Sequence, residues 1–106
     1  MLKRPLKVLF VSAEVAPFSS VGGLSQVSYF LPRALLKLGV DVRIFTPKYG
    51  VVNEEKFPLK KVCNGMMVPT GERGETDRPE SLVCNVKMFG EEKKSEPTVY
   101  FLVLLM

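Results

Sequence analysis

The sequence predicts an α/β domain in which a strand–helix–strand unit is followed by a β-hairpin and one further strand. Residues 6–12 form a short apolar run rich in β-branched side chains, which is typical of a strand buried on both faces of a parallel sheet. Apolar residues then recur at helical spacing between Leu24 and Leu38. The remaining sequence alternates apolar segments of strand length with polar, turn-rich stretches, which favours a hairpin and a last strand.

The predicted helix begins near Gly22 and Gly23 and ends at Gly39. Gly39 suits the position just after a helix, where a left-handed backbone closes the last turn. Pro32 lies inside this segment and lacks a backbone N–H, so it is expected to kink the helix or to move its start to a later residue. The apolar residues of the segment, spaced by three and four, fall on one face: Leu24, Val27, Phe30, Leu31, Ala34, Leu35 and Leu38.

Further strands are predicted at residues 40–46, 60–68, 82–89 and 98–105. The first follows the helix after a short turn, so it is expected to lie parallel to the opening strand. The second and third are expected to pair as a hairpin, with Cys63 facing Cys84. Since one helix cannot cover both faces of a parallel sheet, the chain is expected to be an N-terminal piece of a larger protein. A small domain that covers its open face by dimerising is the alternative.

The composition excludes several classes of function. The 106-residue chain has no histidine, which excludes triads, general bases and metal sites that need an imidazole, and no metal site is expected. The sequence has two cysteines and no recognisable secretory signal. This combination indicates reduced thiols and a cytoplasmic location. No apolar segment approaches the ~20 residues of a membrane span. The bases of residues 1–50 exceed the acids by five but are spread out, which favours a small anion over nucleic acid.

A candidate anion site lies where the first strand ends. Ligands of open α/β sheets bind beyond the carboxyl ends of the strands, and the connection to the helix is unusually long. Gly22 and Gly23 let the backbone approach a ligand, and unpaired N–H groups at the positive end of the helix dipole attract phosphate. A plain tight turn is the alternative interpretation. The chain has no G-x-G-x-x-G or G-x-x-x-x-G-K-[ST] motif, which argues against a nicotinamide or flavin dinucleotide and against a Walker-type NTPase.

Most of the chain resembles the N-terminal part of bacterial glycogen synthases and plant starch synthases. The segments that carry the resemblance occur in order and at suitable spacing: SAEVAPF, VGGL, LPRAL, KLG and DVRIFTPKYG, then KFPLKKV, VPTGERGE and PTVYF. The resemblance implies a partial Rossmann-like domain of the GT-B glycosyltransferase fold. Residues 1–106 would be part of its N-terminal domain, with the C-terminal domain absent.

The resemblance also implies a function, a retaining glucosyltransferase that moves glucose from ADP-glucose to the non-reducing end of an α-1,4-glucan. UDP-glucose is the donor in some relatives. No cofactor is implied. Because the second domain of the family holds most of the donor site, the chain alone is expected to be inactive, and no residue here is assigned a catalytic role. A non-catalytic fragment that binds glucan or ADP is the alternative.

Five residues are matched to the family's substrate-binding positions. By resemblance, Gly22, Gly23 and Leu24 form the loop that reaches the donor phosphates, and Glu14 is the acidic residue of the SAE segment. The family usually has lysine where this chain has Ser20. A hydroxyl carries no charge, and losing a charge-assisted contact is expected to weaken donor binding by about 1.5–3 kcal/mol.

Other positions carry weaker expectations. Lys48 is a candidate to replace the missing cation, and Gln26 stands where the family commonly has aspartate. Tyr49 is expected either to contact sugar or to pack in a turn. Arg73 and Arg78 are expected to lie in a solvated loop tip, where surface ion pairs contribute little.

Overall fold

A computed structural model describes residues 6–20, 22–71, 80–90 and 96–105. Arg73, Arg78 and Val21 lie outside the described residues. The elements, in chain order, are β1 (Lys7–Val11), α1 (Gly23–Lys37), β2 (Asp41–Pro47), β3 (Lys60–Pro69), β4 (Ser81–Phe89) and β5 (Thr98–Leu105). These bounds agree with the predicted segments to within about two residues, as different boundary criteria normally do.

The strands form one five-stranded mixed sheet in the order β1-β2-β5-β4-β3. β1, β2 and β5 run parallel, which confirms the predicted strand–helix–strand unit. β4 is antiparallel to both β3 and β5, which confirms the predicted hairpin. The three parallel strands therefore end at the same edge of the sheet, and the connection from β1 to α1 lies at that edge.

The helix lies against β2 and begins at Gly23, so Pro32 does not delay its start. Gly39 follows the C-terminal cap with a φ of 86°, and its N–H donates to the carbonyl of Leu36, as predicted for a glycine in that position. The ring of Pro32 is buried in the interface with the sheet.

The apolar stripe of α1 does not face the sheet. The side of the helix that is buried holds Ser25, Ser28 and Pro32, while Leu24, Val27, Phe30, Leu31 and Leu38 are each more than two-fifths exposed. These small side chains let the helix approach β2 closely. The serine hydroxyls also hydrogen-bond to the loop that precedes the helix. Most of the stripe is therefore left uncovered by the described residues.

The expected burial of β1 on both faces is also wrong. Leu9 is 62% exposed and Val11 is 69% exposed, whereas Val8 and Phe10 are partly buried. Side chains alternate between the faces of a strand, and no described segment packs over Leu9 and Val11. β1 is also an edge strand, since among the described residues it pairs only with β2.

The hydrophobic core joins the loops after β1 and β2 to one face of the sheet, and its buried members are Val15, Phe18, Ile44, Val52, Val99 and Phe101. Phe18, from the loop after β1, is 6% exposed and makes edge-to-face contacts with Phe57, Phe89 and Phe101 at ring-centre distances of 4.7, 5.2 and 5.1 Å. Such contacts stabilise a fold beyond the burial of area alone. They fasten the loop that follows β1 to the sheet.

The two cysteines are both free thiols, and they are not opposed. Across the hairpin Cys63 lies opposite Val86, and Cys84 lies opposite Met66. Two register shifts in β3, on either side of Cys63, displace the pairing that an unbroken hairpin would have. The expectation that the thiols face each other is therefore wrong.

In the part of the chain that the structure describes, no helix has the length and apolar character needed to cross a membrane.

Candidate functional site

The candidate site is formed by the loop from Ser12 to Gly22 and by the first turn of α1. The loop leaves β1 at the carboxyl edge of the sheet, where the N–H of Ser12 still bonds to the carbonyl of Phe45 on β2. It returns to α1 at Gly22, which has an extended backbone (φ −149°) and caps the helix without a side-chain hydrogen bond. The sequence therefore places the start of the helix beside the end of β1, as predicted.

Buried serines hold the loop against the helix. The hydroxyl oxygens of Ser12 and Ser28 lie 2.7 Å apart, and Ser28 is fully buried. The Oγ of Ser12 also lies 2.8 Å from the carbonyl oxygen of Glu14, and that of Ser28 lies 3.0 Å from the carbonyl oxygen of Leu24. Because each hydroxyl has one proton, one of the two serines donates to its carbonyl and the other donates to the first serine. Buried hydroxyls of this kind are stable only when they are hydrogen-bonded, so their contacts define the position of α1 relative to β1.

Glu14 is directed back toward the helix start. One of its carboxylate oxygens accepts a hydrogen bond from the N–H of Gly22 at 3.2 Å. This contact satisfies the first N–H of the glycine pair and sets the orientation of the peptide that precedes α1. The structure thus places Glu14 as a support of the loop backbone.

The next two amides remain available. Among the described residues, the N–H groups of Gly23 and Leu24 donate to no acceptor, as expected for the first positions of a helix. A Cβ built on Gly22 or Gly23 would meet no atom of the described residues within 4 Å, and neither glycine has a positive φ. Neither the fold nor the backbone conformation therefore requires glycine here, whereas a ligand that approaches these amides closely would.

Ser20 lies beside this opening but its hydroxyl is engaged. Its Oγ lies 2.9 Å from that of Ser25, and Ser25 in turn donates to the carbonyl of Gly22 at 2.8 Å. With the Ser25 proton used in that way, Ser20 must donate to Ser25. In this arrangement Ser20 offers a ligand only hydrogen-bond acceptors, which do not suit a phosphate.

Lys48 follows β2 at the same edge of the sheet and is partnered by an acid. Its Nζ lies 3.7 Å from a carboxylate oxygen of Glu54, and the Nζ of Lys87 lies 2.9 Å from the other oxygen. Tyr49 is 40% exposed. The structure therefore directs Lys48 to an ion pair within the chain, and its expected role as a substitute for the family lysine gains no support from this geometry.

The pKa of Glu54 is lowered from its ordinary value, mainly by the hydrogen bond from Lys87 and also by the charge of Lys48. A carboxyl with a lowered folded-state pKa stabilises the fold above its ordinary pKa, and this contribution is lost as the pH falls through the folded-state value. We expect Glu54→Gln to lower the thermal midpoint slightly at neutral pH and to leave it unchanged in acid. Thermal unfolding of both proteins across this pH range measures the difference, and an equal deficit at every pH would contradict the assignment.

A cavity of about 280 Å³ lies beside the flank of α1 that carries Tyr29 and Arg33. The guanidinium of Arg33 stacks on the ring of Tyr29, 3.6 Å from its centre, and pairs with Glu96 just before β5. Phe57 and Phe89 complete the wall. The sequence carries no signal for this pair, because Arg33 and Glu96 are 63 positions apart in the chain. The pair joins α1 to β5.

Comparison with known proteins identifies the family. The family model described as the starch synthase catalytic domain matches residues 7–103. The chain belongs to this family. In the solved catalytic domain of starch synthase IV from Arabidopsis thaliana, bound to ADP and acarbose, the same fold recurs with a TM-score of 0.77 and 23% identity, covering 97% of this chain and 19% of that one. The mixed sheet is thus that of a starch synthase catalytic domain, of which this chain matches a part.

Several curated relatives are glycogen synthases. The chain is 36% identical over 99 residues to that of Geobacillus thermodenitrificans, covering 92% of this chain and 18% of the relative. It is 44% identical over 71 residues to that of Caldicellulosiruptor saccharolyticus and 52% identical over 67 residues to that of Thermotoga petrophila, covering 66% and 59% of this chain. The chain therefore spans less than a fifth of the length of these relatives.

Proposed function

We propose that this chain supplies the N-terminal, phosphate-facing part of a glucosyltransferase that elongates an α-1,4-glucan. The membership in the starch synthase family supports the transferase class, and the open amides of Gly23 and Leu24 support the phosphate-facing role. We propose ADP-glucose as the donor, with UDP-glucose as the alternative nucleotide. The ADP and acarbose bound to the Arabidopsis relative are consistent with a nucleotide donor and a glucan acceptor.

The single observation that carries the proposal is that two glycines at a helix start present their backbone with no side chain of the described residues packed over it. When the bond between glucose and the diphosphate breaks, negative charge grows on the departing diphosphate. N–H groups that are already aimed at this position stabilise the transition state more than the ground state. Glu14 holds the peptide of Gly22, so the amides next to it need little reorganisation.

The other protein groups that the reaction needs are proposed to lie outside residues 1–106. A transferase with retention of configuration also needs groups that hold the glucose ring, the nucleoside and the acceptor, and this chain alone is proposed to bind donor without transferring glucose. Residues 1–106 are on this view a part of the N-terminal domain, and the second domain completes the cleft. The two free thiols agree with a proposed cytoplasmic location.

Calorimetric titration of the chain with ADP-glucose, with glucose and with maltooligosaccharides tests the proposal. We expect heat from ADP-glucose that weakens as salt is added, because a phosphate contact is screened. Binding of glucose as tight as that of ADP-glucose would contradict the phosphate-facing role. Circular dichroism shows whether the sample is folded. For a folded sample, the absence of binding heat from ADP-glucose counts against the proposal.

Ser20→Lys is expected to strengthen donor binding. The substitution replaces a hydroxyl that is engaged with Ser25 by an ammonium that can pair with phosphate. A charge-assisted hydrogen bond contributes about 1.5–3 kcal/mol, so the dissociation constant for ADP-glucose is expected to fall by about tenfold or more. Ser20→Met, of similar length but uncharged, is the control and is expected to give no gain. Equal affinity of the lysine and methionine variants would contradict the prediction.

A further inference from the structure

Ser25 holds the peptide group between Gly22 and Gly23 through its carbonyl. The carbonyl oxygen of Gly22 accepts two hydrogen bonds from Ser25, one from the hydroxyl at 2.8 Å and one from the N–H at 3.3 Å. These two bonds use both lone pairs of the oxygen. Because the same planar peptide group carries the N–H of Gly23, fixing the oxygen also fixes the direction of that N–H. Ser25 thus determines where one of the two open amides points.

Ser25 is itself firmly placed. The residue is fully buried, and its carbonyl accepts a hydrogen bond from the N–H of Ala16, in the loop after β1, at 3.4 Å. A glycine has no side chain to restrict its backbone, so the conformation of Gly22 depends on contacts of its two peptide groups. Glu14 holds the peptide group before Gly22, and Ser25 holds the one after it.

The hydrogen bonds from Ser20 to Gly23 all point in one direction. A carbonyl oxygen only accepts, so the Ser25 proton lies on the bond to Gly22, and in the 2.9 Å contact between the two hydroxyls Ser20 is the donor. Hydrogen bonds that are aligned in series polarise one another. Each proton donated toward the Gly22 carbonyl therefore makes the N–H of Gly23 a stronger donor.

We propose that Ser25 is a positioning residue for the donor diphosphate, and that Ser20 strengthens binding through Ser25 without touching the ligand. This inference rests on the proposed function and adds to it two residues that act through the peptide group of Gly23. It gives the hydroxyl of Ser20 a part in phosphate binding even though that hydroxyl offers a ligand only acceptors. The competing possibility is that Ser20 turns away from Ser25 and donates to phosphate directly.

A double-mutant cycle measured by calorimetric titration with ADP-glucose separates these two possibilities. We expect Ser25→Ala to weaken binding about three- to tenfold and Ser20→Ala about two- to threefold, as the loss of one hydrogen bond near and one far from the peptide group. The double variant is expected to bind like Ser25→Ala alone, because Ser20 then has no route to the peptide. Ser25→Cys keeps a weaker donor of similar size and is expected to bind with intermediate affinity.

Two results of this cycle would overturn the inference. Wild-type affinity in Ser25→Ala would exclude the positioning role. Losses that add in the double variant would show that Ser20 acts on the donor independently of Ser25. A wild-type chain that is folded but binds no ADP-glucose would contradict the proposed function instead.

The carbonyl carbon signal of Gly22 in the chain without ligand gives an independent readout. A hydrogen bond donated to a carbonyl deshields its carbon, so Ser25→Ala is expected to move the nuclear magnetic resonance signal of this carbon to lower frequency. Ser20→Ala is expected to move it in the same direction by a smaller amount. An unchanged signal in Ser25→Ala would overturn the inference whether or not the chain binds a donor.

Ser28→Ala is the matched control, since Ser28 is equally buried and lies about one helical turn further along α1. Its hydroxyl lies 3.0 Å from the carbonyl of Leu24, whose peptide group carries the N–H of Ser25, and that N–H is bonded within the helix. We expect this variant to lower the free energy of unfolding and to leave the Gly22 carbon signal in place. A loss of donor affinity equal to that of Ser25→Ala would show that any loosening of the loop weakens binding, which would overturn the specific role of Ser25.

Discussion

Gly23→Ala is expected to stabilise the fold and to weaken donor binding at the same time. A Cβ at this position meets no atom within 4 Å and the backbone φ is not positive, so the fold accommodates alanine. Alanine at an accessible helical position raises the free energy of unfolding by up to about 1 kcal/mol relative to glycine. The added methyl group would occupy the space through which the proposed diphosphate ligand reaches the amides. We therefore expect the dissociation constant for ADP-glucose to rise by about tenfold or more.

Gly39→Ala is the matched control for this experiment. Gly39 has a φ of 86°, which an alanine adopts only with strain, and it lies at the far end of α1. The substitution is expected to lower the free energy of unfolding by about 1 kcal/mol and to leave donor affinity unchanged. Chemical denaturation and calorimetry measure both quantities. If Gly23→Ala binds ADP-glucose as tightly as the wild type, the space above the helix start is not the donor phosphate site.

Phe18→Ala is expected to have the largest effect on stability. Phe18 is 6% exposed and packs against Phe57, Phe89 and Phe101, and truncating a buried phenylalanine costs about 3–5 kcal/mol. Because Phe18 fastens the loop that carries Glu14 to the core, the fraction that remains folded is also expected to bind donor more weakly. Urea denaturation measures the first effect, and titration below the unfolding transition measures the second.

Phe30→Ala is the matched control for Phe18→Ala. Phe30 is 62% exposed on α1, so its truncation is expected to change the free energy of unfolding by less than about 0.5 kcal/mol. A loss of stability similar to that of Phe18→Ala would show that the effect is not specific to the buried contacts of Phe18. A large loss of unfolding free energy in Phe18→Ala, with unchanged donor affinity of the folded protein, would show that the packing of Phe18 does not affect the candidate site.

The elements of the fold could be predicted because their signals are local. The β-branched run of β1, the glycine that ends α1 and the alternation in β4 depend on neighbouring residues only, and each element was found close to its predicted position. Parallel pairing of β1 with β2 followed from the short turn after the helix. The register shifts of β3 could not be predicted, because they depend on how two distant segments pair, and they separate Cys63 from Cys84.

The orientation of α1 was not predictable from its hydrophobic pattern. The pattern favours burial of Leu24 and Leu31, but the helix buries Ser25 and Ser28, because serine hydroxyls can bond to the loop after β1 while leucine cannot. Polar contacts between a loop and a helix have no periodic signature.

The place of the glycine pair at the start of α1 was predicted, but the contacts around it were not. The glycine pair at a helix start is a local signal, and the resemblance added Glu14 and Ser20. Neither signal indicates that Glu14 bonds to the N–H of Gly22, or that the hydroxyl of Ser20 is directed to Ser25. Both contacts depend on the path of the loop between Ser12 and Gly22, which is held by buried groups spread along the chain. Lys48 likewise meets an acid, Glu54, that only the folded chain brings near it.

The central claim is that the first amides of α1 bind the diphosphate of a sugar nucleotide. Nuclear magnetic resonance of the isotope-labelled chain during titration with ADP tests it residue by residue. We expect the amide signals of Gly23 and Leu24 to shift most, and we expect Gly23→Ala to suppress the shifts while Gly39→Ala preserves them. Saturable shifts elsewhere on the chain, with the Gly23 and Leu24 amides unchanged, would contradict diphosphate binding at the start of α1.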